Sequence, residues 1–193
     1  MANGKSLMSS RMHGSEQALA SLALRRMQMP DPCVLVGGLG MGFTLRATLD
    51  LLPEGATVVV AELVPAVVEW NRGAVGTLAG HPLRDARVRV DIGDVADTLQ
   101  SSPGGFDAVL LDVDNGPDAF TATTNARLYN DQGLAAARDA LKPGGVLAVW
   151  SAWEDRRFEQ RLRYAGFIVD IERVRGRLKK GGPKHTIFLA RLT

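Results

Sequence analysis

The sequence predicts an α/β protein: a Rossmann-like, seven-stranded, mostly parallel sheet with one reversed strand and helices on both faces. Hydrophobic period alternates between strand and helix nearly to the end of the chain, the pattern of a parallel sheet covered on both sides. Near the start, the apolar run Val34-Leu35-Val36 breaks into alternating glycines and resumes as a helix. Near the end, Ile168 to Val174 and Thr186 to Arg191 lie close enough in sequence to pair antiparallel, which puts the reversed strand near the sheet edge.

Each element has its own signal. Ser15 is placed to cap a first helix with Leu19, Leu22, Ala23 and Met27 on its apolar face, and Pro30 ends it. The first strand is Cys33 to Val36. After the glycine turn, Leu45, Thr48, Leu49 and Leu52 line the buried face of a second helix, stopped by Pro53 and Gly55. The second strand closes at Glu62. Pro65 then sits in a helical first turn, where a missing N–H is tolerated, and Val64, Val67 and Val68 are expected to face inward. A third strand runs from Val88 to Ile92 and a fourth from Ala108 to Asp112. About fifteen loop residues precede a helix around Asp131 to Leu141, and a connection that long within a compact domain is usually functional. Lys142-Pro143-Gly144-Gly145 terminates that helix and launches a fifth strand, Val146 to Ser151. A last helix carrying Phe158, Leu162 and Ala165 leads through Gly166 to the closing strands.

At 193 residues the chain is long enough to bury a full core as one domain, 1–193, with residues 1–30 as a lead-in segment and helix. Apolar runs such as those at 108–111 and 146–150 stop far short of a membrane span and no signal-peptide pattern opens the chain, so a cytoplasmic protein without membrane association is expected. Cys33, the one cysteine, makes no internal disulfide and reads as a small core residue. There is no GxSxG elbow and no His pair at ligand spacing, so hydrolytic and metal chemistry have no support. The net charge of +2 says little about partners. Arg173, Arg175, Arg177, Lys179, Lys180 and Lys184 cluster beside His185, but without interleaved aromatics this segment reads as a solvated loop joining the last strands rather than a nucleic-acid contact.

The glycine turn carries the chemistry. Gly38, Gly40 and Gly42 form a GxGxG pattern, whose missing Cβ atoms let the backbone turn sharply after a strand and approach a ligand closely. A dinucleotide fingerprint wants its third glycine where this chain has Phe43. GxGxG followed by an acidic residue ending the next strand suits S-adenosylmethionine (SAM) instead. Glu62 is that residue, able to accept hydrogen bonds from both ribose hydroxyls. Ligands of such sheets bind at the carboxyl ends of strands, and Gly38 to Gly42, Glu62, Asp94 and Asp112 all fall there. Asp94 has a second reading, as the cap of a helix holding Val95 to Leu99. Asp112 ends an apolar strand, where a carboxylate is costly unless it has a partner or a task. Asp114 and Asn115 fit substrate contact and an Asx-type turn equally well, whereas His13 and Glu16 read as a helix start with an acidic first turn. Trp150 is expected in the core and Trp153 as an apolar wall for substrate.

From about Ser10 onward the sequence resembles the spermidine synthase-like branch of the class I SAM-dependent methyltransferase superfamily. Gly38-Leu39-Gly40-Met41-Gly42-Phe43-Thr44-Leu45-Arg46 is similar to the family's GGGDGGVLR, and Arg87-Val88-Arg89-Val90-Asp91-Ile92-Gly93-Asp94 to its RVxVxxGD. Leu128-Tyr129-Asn130 with Leu141-Lys142-Pro143-Gly144-Gly145 resembles its LY(S/T)…LKPGG. The resemblance implies the class I fold, SAM or decarboxylated SAM held by Gly38, Leu39, Gly40, Gly42, Glu62, Leu63, Asp94 and Val95, and a homodimer. Within it, Glu62 would hold the ribose, Asp94 the adenine amino group and Val95 the neighbouring ring edge.

Two departures bear on the reaction. The family's glycine loop carries an aspartate where this chain has Met41; a carboxylate there pairs with the ammonium of decarboxylated SAM and repels the carboxylate of SAM. Unit charges about 4 Å apart interact by roughly 1–4 kcal/mol between bulk-water and near-surface dielectrics, so a neutral Met41 shifts preference toward SAM. After the fourth strand the family reads DSSDPxGPA and this chain Asp112-Val113-Asp114-Asn115-Gly116-Pro117, which keeps the first carboxylate and replaces the second unless Asp114 takes its place. The resemblance starts past the family's amino-terminal hairpin domain, and Ser15-Glu16-Gln17 matches its Tyr-x-Glu motif poorly. The expectation is a SAM-dependent small-molecule transferase with Asp112 and Asp114 as catalytic candidates, an acceptor such as an amine, and methyl transfer ahead of aminopropyl transfer. A non-catalytic SAM-binding or RNA-binding module is the alternative of another class.

Overall fold

The protein is described here by a computed structural model, in which residues 13–25, 29–113, 116–117, 126–177 and 182–192 are placed. Seven strands form one sheet: β1 (Cys33–Gly37), β2 (Thr57–Glu62), β3 (Val88–Ile92), β4 (Phe106–Leu111), β5 (Leu141–Ser151), β6 (Ile168–Arg175) and β7 (Lys184–Arg191), in the order β3-β2-β1-β4-β5-β7-β6. The β1–β2, β2–β3, β1–β4 and β4–β5 pairs are parallel, and β7 runs antiparallel to both neighbours. The fold expected from sequence, reversed strand included, is therefore the fold observed. The chain moves outward from β1 to β3 and then returns to β4, so the strand order switches between β1 and β4, where such sheets bind ligands.

Among the described residues seven α-helices cover the sheet: α1 (Gly14–Leu24), α2 (Phe43–Leu51), α3 (Pro65–Arg72), α4 (Val95–Gln100), α5 (Ala126–Tyr129), α6 (Asp131–Ala140) and α7 (Arg156–Tyr164). Alternate strand residues point to opposite faces, which divides the core. On one face Val34, Val36, Val60 and Leu110 meet Leu19 of α1, Leu45 and Leu49 of α2 and Val68 of α3. On the other, Leu35, Val109 and Phe188 meet Leu99 of α4, Leu134 of α6 and Phe158 of α7. The central β4 is buried along its whole length, which explains its unbroken apolar sequence Phe106-Asp107-Ala108-Val109-Leu110-Leu111 apart from Asp107. That buried carboxylate is paired: it accepts from the Cys33 amide at 2.8 Å and from Lys142 Nζ at 2.7 Å.

Some local expectations are corrected. Ser15 does not cap α1. The helix begins at Gly14 with His13 as its N-cap, and the buried Ser15 hydroxyl donates instead to Glu16. Leu19 and Ala23 are buried as expected, Leu22 is partly buried, and Met27 lies outside the described residues. Val64 does not face inward: it is the extended residue before α3, 46% exposed, so it escapes the helical periodicity that buries Val68. Asn71, three residues beyond Val68, takes the next inward position. Leu141 to Gly145 belong to β5 rather than to a turn before it. The basic segment is partly strand, with Arg173 and Arg175 in β6 and Lys184 and His185 in β7; Lys179 and Lys180 lie outside the described residues. No helix among the described residues is long and apolar enough to cross a membrane.

Candidate functional site

The glycine turn leaves β1 at the switch point. Gly38, Gly40 and Gly42 all have positive φ, at 88°, 51° and 81°. A Cβ on Gly38 would stand 2.5 Å from the carbonyl oxygen of Asp112, so the ends of β1 and β4 approach as closely as backbone allows. Gly42 begins α2 and lies under Pro82 and Asn71, with no room for a side chain in a left-handed conformation. The turn closes by the Gly42 N–H donating to the Leu39 carbonyl at 2.8 Å.

Glu62, at the end of β2, braces this turn. Its Oε2 accepts from the Leu39 amide and its Oε1 from the Val64 amide, each at 2.9 Å, and the residue is 9% exposed. A carboxylate has about four acceptor positions, so each oxygen retains capacity for a ribose hydroxyl. The sequence marks Glu62 as a ribose acceptor, and bracing the turn is a second task that only the structure shows. From the other side, Asn71 donates through Nδ2 to the Gly40 carbonyl at 2.8 Å and the Val67 carbonyl at 2.9 Å. Asn71 was missed; a polar residue on the inward face of an amphipathic helix was the available signal.

The remaining cofactor candidates differ in their surroundings. Leu63 is 57% exposed beside Glu62, whereas Leu39 is buried. Asp94 caps α4, accepting from the Ala96 amide at 2.9 Å, and its other oxygen lies 3.7 Å from Arg127. The Val95 side chain packs in the core, which leaves its backbone as the part available to a ligand edge.

Asp112 lies just past β4. Its amide donates to the Gly37 carbonyl at 2.9 Å, and its Oδ2 accepts from the Thr44 hydroxyl at 2.6 Å. Burial pushes its pKa up to about 7; the Thr44 hydrogen bond opposes this and the charge of Glu16 adds to it. A carboxylate that titrates near neutrality can hold and release a proton in the working range. Glu16 reaches this region because α1 packs on α2, with His13 stacked on Phe43 at 4.4 Å between ring centroids. Burial raises the Glu16 pKa as well, against the hydrogen bond from Ser15. Asp114 and Asn115 lie outside the described residues. Gly116 then returns against the end of β5, where a Cβ would meet Ser151 at 2.8 Å. Trp150 packs against the core as expected, and Trp153, 36% exposed, follows β5.

Several quoted motifs serve the scaffold. Leu128 and Tyr129 are core residues, Asn130 caps α6 through the Gly133 amide at 2.9 Å, and Lys142 neutralises Asp107. Among the described residues no cluster of His, Cys, Asp or Glu is arranged to hold a metal ion.

Residues 65–182 match the family described as S-adenosyl-L-methionine-dependent methyltransferase. The chain is 33% identical to polyamine aminopropyltransferase 2 of Streptomyces coelicolor over 184 residues, 90% of this chain and 32% of that protein. It is 37% identical to a polyamine aminopropyltransferase of Mycobacterium tuberculosis over 119 residues, 60% of this chain and 22% of that protein. The chain thus spans about a third or less of these relatives. Spermidine synthase from Thermotoga maritima shares the fold, with a TM-score of 0.70 at 20% identity over 93% of this chain and 60% of the other. The spermidine synthase-like resemblance and the SAM cofactor class expected from sequence agree with these findings.

Proposed function

We propose that this chain, which belongs to the S-adenosyl-L-methionine-dependent methyltransferase family, transfers an alkyl group from a SAM-type sulfonium donor to an amine, with Asp112 as the proton acceptor. The observation that carries this reading is the position of Asp112 at the switch point, hydrogen-bonded by Thr44 and shifted by burial to a pKa of about 7. The glycine turn fits a nucleoside: the positive φ of Gly38, Gly40 and Gly42 holds the backbone tightly turned against the end of β4 and against Asn71 and Pro82, and Glu62 retains lone pairs for ribose. Leu63 offers an exposed apolar surface for a base, and Asp94 and the Val95 backbone follow Gly93, whose amide donates to the Glu62 carbonyl at 3.0 Å.

When bound, the donor supplies an electrophilic carbon beside a sulfonium. The protein aligns the acceptor nitrogen with that carbon and removes the proton that the amine must lose. Asp112 takes it. Asp114, two positions further along the sequence, is the second acidic candidate, for holding the acceptor.

The relatives named polyamine aminopropyltransferases favour the aminopropyl group of decarboxylated SAM over the methyl group that the sequence alone put first. One feature supports the second reading, methyl transfer from SAM: Met41 removes the loop carboxylate that would repel SAM's own. Incubating the protein with each donor and a panel of di- and polyamines tests both. Methylthioadenosine as product from decarboxylated SAM supports aminopropyl transfer; S-adenosylhomocysteine from SAM supports methyl transfer. Neither product with any amine would sink the proposal. A homodimer, implied by resemblance, is a further proposal that light scattering checks.

A further inference from the structure

The first turn of α1 brings a second carboxylate, Glu16, to the Asp112 side of the sheet, where its neighbour Ser15 holds it and His185 from β7 holds Ser15. The hydroxyl of Ser15, a residue 1% exposed, donates to Glu16 Oε2 at 2.7 Å. The same hydroxyl oxygen lies 3.0 Å from Nδ1 of His185 in β7. A hydroxyl has one proton, and Glu16 receives it. The ring nitrogen must therefore donate, which assigns the His185 proton to Nδ1. The ring stands edge-on to Trp150 at 4.7 Å between centroids, and the Gly14 amide donates to the Gly176 carbonyl at 3.0 Å. The first contact fixes the ring between β7 and β5, and the second docks the start of α1 on the end of β6. Hydrogen bonds thus run in one direction, His185 to Ser15 to Glu16, and a chain of this kind strengthens its last bond.

We propose that Glu16 is a working carboxylate of the site, with Ser15 and His185 as positioning residues that keep it charged beside Asp112, so that the acceptor amine meets two carboxylates rather than one. This rests on the proton-accepting role proposed for Asp112. The groups around the pair are Ser15 on α1, Thr44 on α2 and, through Ser15, His185 on β7, while His13, just before α1, stacks on Phe43. Among the described residues neither carboxylate belongs to an ion pair. A cationic acceptor would supply the missing charge, and its arrival would be favoured by both. The charge of Glu16 also raises the basicity of Asp112, and the Ser15 hydrogen bond opposes protonation of Glu16.

Carboxyl 13C NMR titration of the whole chain, without ligand, tests this directly. In Glu16→Gln the Asp112 midpoint should fall, because a like charge has been removed. Ser15→Ala should raise the Glu16 midpoint, Ser15→Thr should restore it, and His185→Ala should raise it by less. In the transfer assay the acid limb of kcat/KM should follow Asp112 downward in Glu16→Gln. An Asp112 midpoint unmoved by Glu16→Gln, or a Glu16 midpoint unmoved by Ser15→Ala, overturns the proposal. If no amine is turned over while the midpoints move as stated, the proposed reaction fails and the coupling of the two carboxylates stands.

Discussion

Thr44 and Asp112 are joined across the switch point: the hydroxyl in the first turn of α2 donates at 2.6 Å to the carboxylate just past β4. This contact stabilises the charged form of Asp112 but does not offset its burial, so the pKa rises to about 7. The folded state therefore binds a proton more tightly than the unfolded chain. The stability this provides is fully present below the ordinary carboxylate range and is lost as pH rises through about 7. Asp112→Asn should then stabilise the protein at pH 8 by on the order of 1–3 kcal/mol and much less near pH 4, as denaturant unfolding at both values would show. The same variant should lose transfer activity by about 100-fold or more, and a variant with undiminished turnover would remove Asp112 from the chemistry.

Glu62 should tolerate glutamine no better than alanine. Both oxygens accept from backbone amides, Leu39 on one side and Val64 on the other, so an amide nitrogen in either place would face a donor. Glu62→Gln is expected to weaken binding of SAM or its demethylated product by about 1–3 kcal/mol and to lower the melting temperature. Calorimetry that finds wild-type affinity would show that the carboxylate serves neither the turn nor the ribose.

Asn71→Ala should loosen the glycine turn from behind. The substitution strips the half-buried Gly40 carbonyl of its side-chain donor, at a cost of about 1 kcal/mol. Hydrogen exchange should rise in residues 38–42, with a matching loss of donor affinity. Unchanged exchange there would mean that Glu62 alone fixes the turn.

Met41→Asp separates the two donors by charge. The new carboxylate should weaken SAM and favour decarboxylated SAM, since it would meet the donor's carboxylate in one and only its ammonium in the other. Affinities that move together would show that Met41 does not face the donor tail, which would remove the support for methyl transfer.

The glycine turn, Glu62 and Asp112 were legible in the sequence because each is a local statement: a backbone conformation that excludes side chains, or an acidic residue where an apolar strand stops. The reversed strand was legible for the same reason, since the short separation of β6 and β7 allows antiparallel pairing. Asp94 shows where local reading reached two answers, and the Ala96 amide accounts for its capping role.

What the tertiary structure decided is which distant residues share a space. Ser15 looked like a helix cap, yet its hydroxyl lies between Glu16 and His185, 170 positions away in the chain. Asn71 meets the Gly40 carbonyl only because α3 packs behind the glycine turn, and Glu16 influences Asp112 only because α1 docks on α2 and the β6–β7 pair. Hydrophobic period fixes which face of each helix is buried, a property of neighbours along the chain. The position at which that face comes to rest depends on side-chain packing across the whole core, and it is this packing that brings a polar residue on α1 to a carboxylate at the end of β4.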